Sequence, residues 1–232
     1  TVHANGNTGA NVKVAIIDTG IDYTHPDLGG CFGAGCKVAG GFDFVNNDSN
    51  PMDDDGHGTH VAGTIAANRD GSGVGVVGVA PDAELYALKV LGANGSGSFS
   101  DVIKALEWAV ANGIQVTSNS YGSSADPGTL VKAAFDNAYA AGIINIAAAG
   151  NSGTCSGTND SVGYPAKYAS VIAVAATDKA NVRPCWSSTG PAVALSAPGV
   201  TINSTKLGGG YVEFSGTSMA TPHVAGVAAL VI

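Results

Sequence analysis

Short apolar segments alternate along the chain with longer segments whose apolar residues recur every three or four positions. The short segments predict buried strands at residues 12–17, 84–91, 114–120, 143–149 and 170–176. The longer segments predict helices at residues 57–67, 101–112 and 130–141. Ser100 is the predicted N-cap of the second helix, and Gly113 and Gly142 are the predicted ends of the second and third. This alternation predicts an α/β fold, a three-layer doubly wound, mostly parallel sheet with helices on both faces.

Polar residues follow two of the predicted strands at the point where each strand ends. Asp18 comes directly after the strand at 12–17, and Asn151 lies just past the strand at 143–149. In open sheets of this kind, ligands bind outside the carboxyl ends of the strands. We therefore expect the functional site at that edge of the sheet.

Composition and charge exclude several classes of protein. The chain has 232 residues, which suits one domain, and 45% of them are hydrophobic, which argues against disorder. The net charge is −8 and no basic run occurs, so nucleic acid is not an expected partner. No apolar run reaches the length of a membrane span, and no membrane partner is expected. Because no signal peptide opens the sequence, the chain is either cytosolic or the mature or trimmed form of an exported protein.

The four cysteines form two natural groups. Cys31 and Cys36 bracket a short glycine-rich loop that a disulfide can close, which leaves Cys155 and Cys185 as a second pair. Two alternatives are free thiols and a zinc site formed by all four thiolates. Neither pair has the close spacing typical of zinc ligands. We favour two disulfides, which form in an oxidising compartment.

The segment GVGVVG, residues 73–78, fits the glycine pattern of a dinucleotide-binding loop. That site requires a strand before the loop and a helix after it. Here a predicted helix precedes the loop and a predicted strand follows it. The segment therefore does not indicate nucleotide binding.

Three stretches place one acid, one imidazole and one hydroxyl among small residues. They are IIDTGID with Asp18, DGHGTHVAG with His57, and GTSMATPHVAG with Ser218. A serine hydroxyl needs a base to remove its proton, and the base needs a carboxylate to fix its tautomer. Each residue alone has a structural explanation: a turn cap for the aspartate, a buried histidine, and an N-cap for the serine. Together, and in the order Asp, His, Ser, they indicate a nucleophilic triad.

These stretches resemble the signature segments of the subtilisin-like serine proteases, the subtilases. The similarity extends to residues 89–114, 147–153 and 162–176, and thus to nearly the whole chain. The resemblance implies a subtilisin-like fold and a serine endopeptidase of broad specificity that prefers large apolar residues. It assigns Ser218 as nucleophile, His57 as general base and acid, and Asp18 as the orienting carboxylate. His60, His223 and Thr217 are the competing candidates; the family pattern gives His60 a structural role and uses the serine, rather than Thr217, as the nucleophile.

The resemblance also implies an oxyanion donor and a substrate cleft. Asn151, in AAAGNSG, matches the family's oxyanion-hole asparagine; a turn residue is the alternative. Subtilases bind a peptide as an added strand. The matching cleft residues are Leu91, Gly92, Gly95, Ser120, Tyr121, Gly122, Ala148, Ala149, Gly150 and Gly163. Tyr121 stands where close relatives have leucine, and we expect it to narrow or repolarise the cleft.

Three acidic residues, Asp53, Asp54 and Asp55, precede His57. One interpretation is that a carboxylate here favours basic residues beside the cleavage point. The other, which we favour, is a solvated acidic turn.

Calcium is the cofactor that the resemblance implies, in a structural role only. Asp27 matches one calcium ligand of the family, and oxygen-rich loops suit this ion. The loop at 68–76 is longer than in close relatives, and the family's N-terminal ligand is not present in this sequence.

The expected organisation is a single peptidase catalytic domain over residues 1–232, shortened at both ends relative to the family. We expect a secreted monomer whose partners are polypeptide substrates. Two alternatives remain: a truncated chain that binds peptides with little or no turnover, and an enzyme that cleaves only esters.

Overall fold

The computed structural model describes residues 2–68 and 75–232. Seven parallel strands form one sheet in the order β2-β3-β1-β4-β5-β6-β7. Their bounds are β1 Lys13–Asp18, β2 Val38–Asp43, β3 Glu84–Lys89, β4 Val116–Asn119, β5 Ile144–Ala148, β6 Val171–Thr177 and β7 Val193–Pro198. The predicted parallel sheet is confirmed.

Four α-helices cover the sheet. They are α1 His57–Ala66, α2 Phe99–Ala111, α3 Thr129–Ala140 and α4 Thr217–Val231. The central strand β1 shows how both faces are buried, because Val14 and Ile16 belong to one core and Ala15 and Ile17 to the other. Helices α1 and α4 pack in the first core, and α2 and α3 pack in the second. The molecule is therefore the predicted three-layer α/β fold.

The N-cap of α2 differs from the prediction. Ser98, not Ser100, caps the helix: its backbone is extended, and its hydroxyl accepts hydrogen bonds from Ser100 N and Asp101 N. Ser100 is already inside the first turn. A cap residue must lie outside the helical backbone conformation, and only Ser98 meets that requirement here.

Two strands of the sheet, β2 and β7, were not predicted. Strand β2 reads VAGGFD, and the glycine pair hides its strand character. Gly41 is required there because a Cβ would lie 2.0 Å from the carbonyl oxygen of Ala87 on β3. Strand β7 is an edge strand whose side chains are mostly exposed or half-buried, so it lacks the continuous apolar run of the inner strands.

A small antiparallel hairpin lies beside α1. It consists of β8 Ile202–Thr205 and β9 Tyr211–Phe214. Ser204 Oγ and Thr205 Oγ1 donate to the carbonyls of His60 and Thr59, each at 2.7 Å, and so attach the hairpin to the helix.

Both predicted cysteine pairs are disulfides, Cys31–Cys36 and Cys155–Cys185. The second one lies beside Arg183, whose guanidinium donates to the carbonyls of Thr154, Cys155 and Ser187. This cross-link holds the loop that follows Asn151. Within the described residues, no helix has both the length and the apolar character needed to cross a bilayer.

Candidate active site

The predicted triad and oxyanion residues lie at the carboxyl edge of the sheet. Asp18 ends β1, and Asn151 follows β5 after a two-residue connection. His57 and Ser218 are the first and second residues of α1 and α4, which begin at this edge. The fold thus brings four distant positions in the sequence to one place.

Asp18 and His57 are in direct contact. His57 Nδ1 donates to Asp18 Oδ1 at 2.7 Å, and the backbone N–H of Thr19 donates to the same oxygen at 2.7 Å. The Asp18 side chain is fully buried, and its Oδ2 is buried without a hydrogen-bond partner among the described residues. A buried carboxylate with so few donors strongly favours a positive charge on the adjacent imidazole.

A tight acidic turn positions His57. Asp53 Oδ1 accepts from the backbone N–H groups of Asp55 and Gly56, and Oδ2 accepts from the N–H and hydroxyl of Thr59. Asp54 pairs with the buried ammonium of Lys89 at 2.6 Å. The aspartates form a turn, as we favoured, but Asp53 is buried in it rather than solvated.

Asp55, like Asp54, is exposed in that turn. Its Oδ1 accepts from the backbone N–H of His57 at 3.2 Å, and it lines a cavity of the cleft. Its charge also reaches the imidazole. Burial lowers the pKa of His57, but the charge and hydrogen bond of Asp18, with the charges of Asp55 and Asp53, outweigh it and raise the pKa to about 8.

Ser218 and Ser120 exchange two hydrogen bonds. Ser218 Oγ donates to the Ser120 carbonyl at 3.0 Å, and Ser120 Oγ donates to the Ser218 carbonyl at 2.9 Å. Pro222 makes the second bond available, because it lacks the N–H that would otherwise bond to Ser218 O in the helix. In this state the Ser218 hydroxyl is bonded to Ser120 rather than to His57.

Asn151 is oriented by Thr217. The Thr217 N–H and hydroxyl both donate to Asn151 Oδ1, each at 3.0 Å. The Thr217 hydroxyl in turn accepts from Gly150 N at 3.1 Å. Because Oδ1 receives both donors, the amide Nδ2 points the other way, beside Gly216 at the start of α4. This leaves the Asn151 N–H groups next to Ser218.

The competing histidines lie away from the cleft. His60 is fully buried, donates from Nε2 to the carbonyls of Ile202 and Val212, and stacks on Phe214 with ring centroids 4.7 Å apart. His223 Nδ1 donates to Met219 O within α4 at 2.8 Å. Burial lowers the pKa of both histidines. Both imidazoles therefore bond to backbone carbonyls and not to Ser218.

Two cavities flank the candidate catalytic residues. The first, which we call the Ser218 pocket, has about 390 Å³ and is lined by Tyr121–Ser124, Ala148, Gly150–Ser152, Asp160–Gly163, Lys167, Thr217 and Ser218. The second, the His57 pocket, also has about 390 Å³ and is lined by Thr19, Asp55, His57, Leu91, Gly95–Phe99, Val102 and Ser120–Gly122. Tyr121 and Gly122 form the wall that the two pockets share.

Most predicted cleft residues line one of these pockets, but two do not. Ala149 is buried behind the Ser218 pocket, because its side chain belongs to the core between the sheet and helices α2 and α3. Gly92 belongs to a turn in which its N–H donates to Ser96 O, and it lines neither pocket.

Sequence reasoning missed several lining residues. Phe99 and Val102 lie on one face of α2, and their spacing of three in an amphipathic helix was the available signal. Asp160 and Lys167 form an ion pair at 2.7 Å in the Ser218 pocket. No local sequence pattern links these two residues. They come together only when the loop that contains Asp160 folds against the turn at 165–168, which contains Lys167.

Asp27, the predicted calcium ligand, is buried near the C-terminal end of α1, whereas His57 is at the N-terminal end of that helix. Its Oδ2 accepts the hydroxyl of Tyr211 at 2.8 Å, and the N–H of Asn68 donates to its carbonyl. Within residues 2–68 and 75–232, no three acidic, histidine or cysteine side chains are grouped as metal ligands. Most of the loop at 68–76, the other predicted ligand source, lies outside the described residues.

Comparison with known proteins gives consistent matches. The model of the Subtilase family matches residues 9–232. The chain is 50% identical over 232 residues to a subtilisin of Bacillus pumilus, covering all of this chain and 80% of that protein. It is also 50% identical to subtilisin E of Bacillus subtilis (strain 168), but spans only 58% of that protein. The crystal structure of a cold adapted subtilisin-like serine proteinase superposes with a TM-score of 0.84 at 38% identity, covering 97% of this chain and 76% of the other.

Proposed function

The chain belongs to the subtilase family of serine endopeptidases, and from this premise we propose that it hydrolyses peptide bonds through Asp18, His57 and Ser218. The observation that carries the proposal is the 2.7 Å bond between Asp18 and His57 at the sheet edge where Ser218 begins α4. Ser218 is the proposed nucleophile, His57 the base and then the acid, and Asp18 the carboxylate that fixes the imidazole.

Acylation begins when the Ser218 hydroxyl turns from Ser120 O to His57 Nε2. A peptide paired as an added strand along 120–122 offers its own N–H to the Ser120 carbonyl and so competes with the hydroxyl. His57 Nδ1 is committed to Asp18, which leaves Nε2 as the acceptor of the proton. Ser218 Oγ then attacks the scissile carbonyl, and the protonated His57 delivers the proton to the leaving amine.

The attacked carbonyl oxygen gains negative charge during this step. The Nδ2 group of Asn151 and the backbone N–H of Ser218, in the first turn of α4, are the proposed donors to it. Water, activated by the same His57, then hydrolyses the acyl-enzyme and returns Ser218 to its hydroxyl form.

The proposed substrates are polypeptides with a large apolar residue before the cut. That side chain enters the Ser218 pocket, whose floor at Gly163 has no room for a Cβ because one would lie 2.9 Å from Ser123 O. The charges of Asp160 and Lys167 neutralise each other, so the pocket carries no unpaired charge to select an ionic side chain. Broad, mainly apolar preference follows.

Calcium binding remains a proposal, in a structural role. Asp27 supplies a buried carboxylate, but one of its oxygens already accepts from Tyr211, and among the described residues it belongs to no group of three acidic, histidine or cysteine side chains. Asp27 and loop carbonyls are the groups that would hold the ion. The catalytic chemistry needs no metal, since base, nucleophile and oxyanion donors all come from the chain.

We also propose that the enzyme is a secreted monomer. The support for secretion is the pair of disulfides, which persist in an oxidising compartment.

A serine-directed fluorophosphonate and a pair of chromogenic peptides test the proposed function. Folded protein should be labelled at Ser218 and should hydrolyse both an amide and the matching ester. Ser218→Ala is the control and should show neither label nor turnover. Ester cleavage alone would support the esterase alternative. Inhibitor binding with no turnover by the parent chain would support the alternative of a peptide-binding chain and contradict the proposal.

A further inference from the structure

A row of polar side chains lies on one face of the sheet, next to the wall between the two pockets. Thr117, Asn119 and Tyr121 are spaced by two along and just beyond β4, so their side chains lie on one face of the strand. That face is packed with apolar residues of the core under α2 and α3. Thr117 and Asn119 are fully buried in it.

Hydrogen bonds join these residues into one chain. Tyr121 Oη donates to Asn119 Oδ1 at 2.8 Å, and Asn119 Nδ2 donates to Thr117 Oγ1 and to the Ile146 carbonyl, each at 3.0 Å. Thr117 Oγ1 donates to Asn145 Oδ1 at 2.8 Å, directly across from it on β5. Asn145 Nδ2 reaches the carbonyls of Phe135 and Ser170, each at 3.4 Å.

Such a network is not the simplest way to stabilise a core. Apolar side chains of the same shape fill a buried site at least as stably, whereas a satisfied polar network fixes one arrangement of its members. At the cleft end, this arrangement fixes the ring of Tyr121, which with Gly122 lines both the Ser218 pocket and the His57 pocket. Burial and the nearby charge of Asp18 raise the pKa of Tyr121 well above its usual value, so the phenol remains a donor.

We propose that Asn119 is a positioning residue for substrate selection. Its carboxamide holds the Tyr121 hydroxyl in the core and thereby fixes the position of the wall between the two pockets. Asn119 itself lines neither pocket. Selectivity of the cleft is therefore set partly from within the core, by a residue that does not touch substrate. The inference rests on the proposed peptidase function.

A double-mutant cycle tests this role, with Asn119→Leu and Tyr121→Phe singly and together. Leucine matches asparagine in shape, and phenylalanine removes only the hydroxyl. The readout is the ratio of kcat/KM for two peptides that differ, Phe against Ala, at the most selective position found in a peptide library. Both peptides meet the same active enzyme, so the ratio does not depend on the fraction of folded protein.

Asn119→Leu should change this ratio about 10-fold when residue 121 is tyrosine, the size of a modest change in pocket fit. The change should appear in KM with kcat nearly constant, because binding away from the reacting atoms is affected. When residue 121 is phenylalanine, the same substitution should change the ratio less than about twofold, because no hydroxyl remains to be held.

Two controls separate positioning from stability. Thr117→Val breaks the next link of the network but leaves the Tyr121–Asn119 bond, and should lower the Tm without changing the ratio. Tyr139→Phe removes an exposed tyrosine hydroxyl on α3 and should change neither.

Equal effects of Asn119→Leu in both backgrounds, or no effect in either, would overturn the inference while leaving the proposed peptidase function intact. A parent chain without peptide hydrolysis would overturn both. A changed ratio in Thr117→Val as large as that in Asn119→Leu would also contradict the specific role of Asn119.

Discussion

In the proposed catalytic site, the acid–base half, Asp18 and His57, already has its working contact, whereas the nucleophile half, Ser218 and Asn151, does not. His57 Nδ1 lies 2.7 Å from a fully buried carboxylate oxygen. Ser218 Oγ instead donates to Ser120 O, and the Asn151 carbonyl oxygen is held by Thr217.

The difference has a physical cause. The Asp18 carboxylate is buried with an unpartnered oxygen, so its charge must be compensated within the protein at all times. The Ser218 hydroxyl is neutral, and a side-chain rotation on the ps–ns timescale can exchange its acceptor. The first half therefore has to be assembled during folding, and the second can wait for a peptide.

The largest expected effect comes from removing each half in turn. Ser218→Ala should lower kcat by about 10⁶-fold, as it does in subtilisin. Asp18→Asn should lower kcat by about 10⁴-fold, because the imidazole loses its fixed tautomer while the nucleophile remains. Single-turnover assays with a chromogenic peptide measure both. Turnover by Ser218→Ala close to that of the parent chain would contradict the assignment of Ser218 as nucleophile.

The oxyanion donor is the next test. Asn151→Leu should lower kcat by about 10²–10³-fold, again the size known for subtilisin. Thr217→Val removes the hydroxyl that orients Asn151 and should lower kcat between about 10-fold and 100-fold, the range for small misplacement of a catalytic group. KM should change little in either variant. If Thr217→Val retains full kcat while Asn151→Leu does not, Thr217 does not orient the amide.

The pKa of His57 gives opposite pH dependences for activity and stability. The general base must be neutral, so kcat/KM should rise about tenfold per pH unit below the pKa and level off as the pH passes about 8. The folded state instead favours the protonated imidazole. Its contribution, about 2 kcal/mol for a shift from 6.5 to about 8, is full below pH 6.5 and is lost as the pH rises through about 8.

Rate profiles and urea unfolding between pH 5 and pH 10 check both slopes, with Asp18→Asn as the control. In that variant the rate profile should move to lower pH, and the stability that His57 contributes should disappear. A rate that is flat between pH 6 and pH 9 would contradict the assigned base.

The inner strands and the edge strand of the sheet differ in how well the sequence predicts them. The buried strands β1, β3 and β5 are predictable because their apolar runs serve two cores at once. The edge strand β7 is not, since its exposed side chains carry no such pattern. The choice between Ser98 and Ser100 as the N-cap depends on the backbone conformation. Two serines so close in the sequence do not predict that conformation.

The candidate catalytic residues are predictable because a resemblance to subtilases supplies the pairing that composition alone leaves open. The contacts that orient them are not. Ser120 with Ser218, Thr217 with Asn151, and Thr117 with Asn145 each depend on strand register or on a helix start meeting a loop. Contacts between side chains of different elements produce no regular spacing in the sequence from which they could be predicted.

The smallest expected effect distinguishes two carboxylates of the acidic turn. Asp55 is exposed and raises the pKa of His57, whereas Asp54 is paired with Lys89. Asp55→Asn should therefore lower the pKa of His57, but by less than Asp18→Asn does, since an exposed charge acts through water. The shift should shrink as salt is added. Asp54→Asn is the matched control and should leave the pH profile in place.

Because Asp55 also lines the His57 pocket, its variant should lose any preference for Lys or Arg beside the cut. A peptide library that shows no such preference in the parent chain would limit Asp55 to its electrostatic effect on the acid–base half.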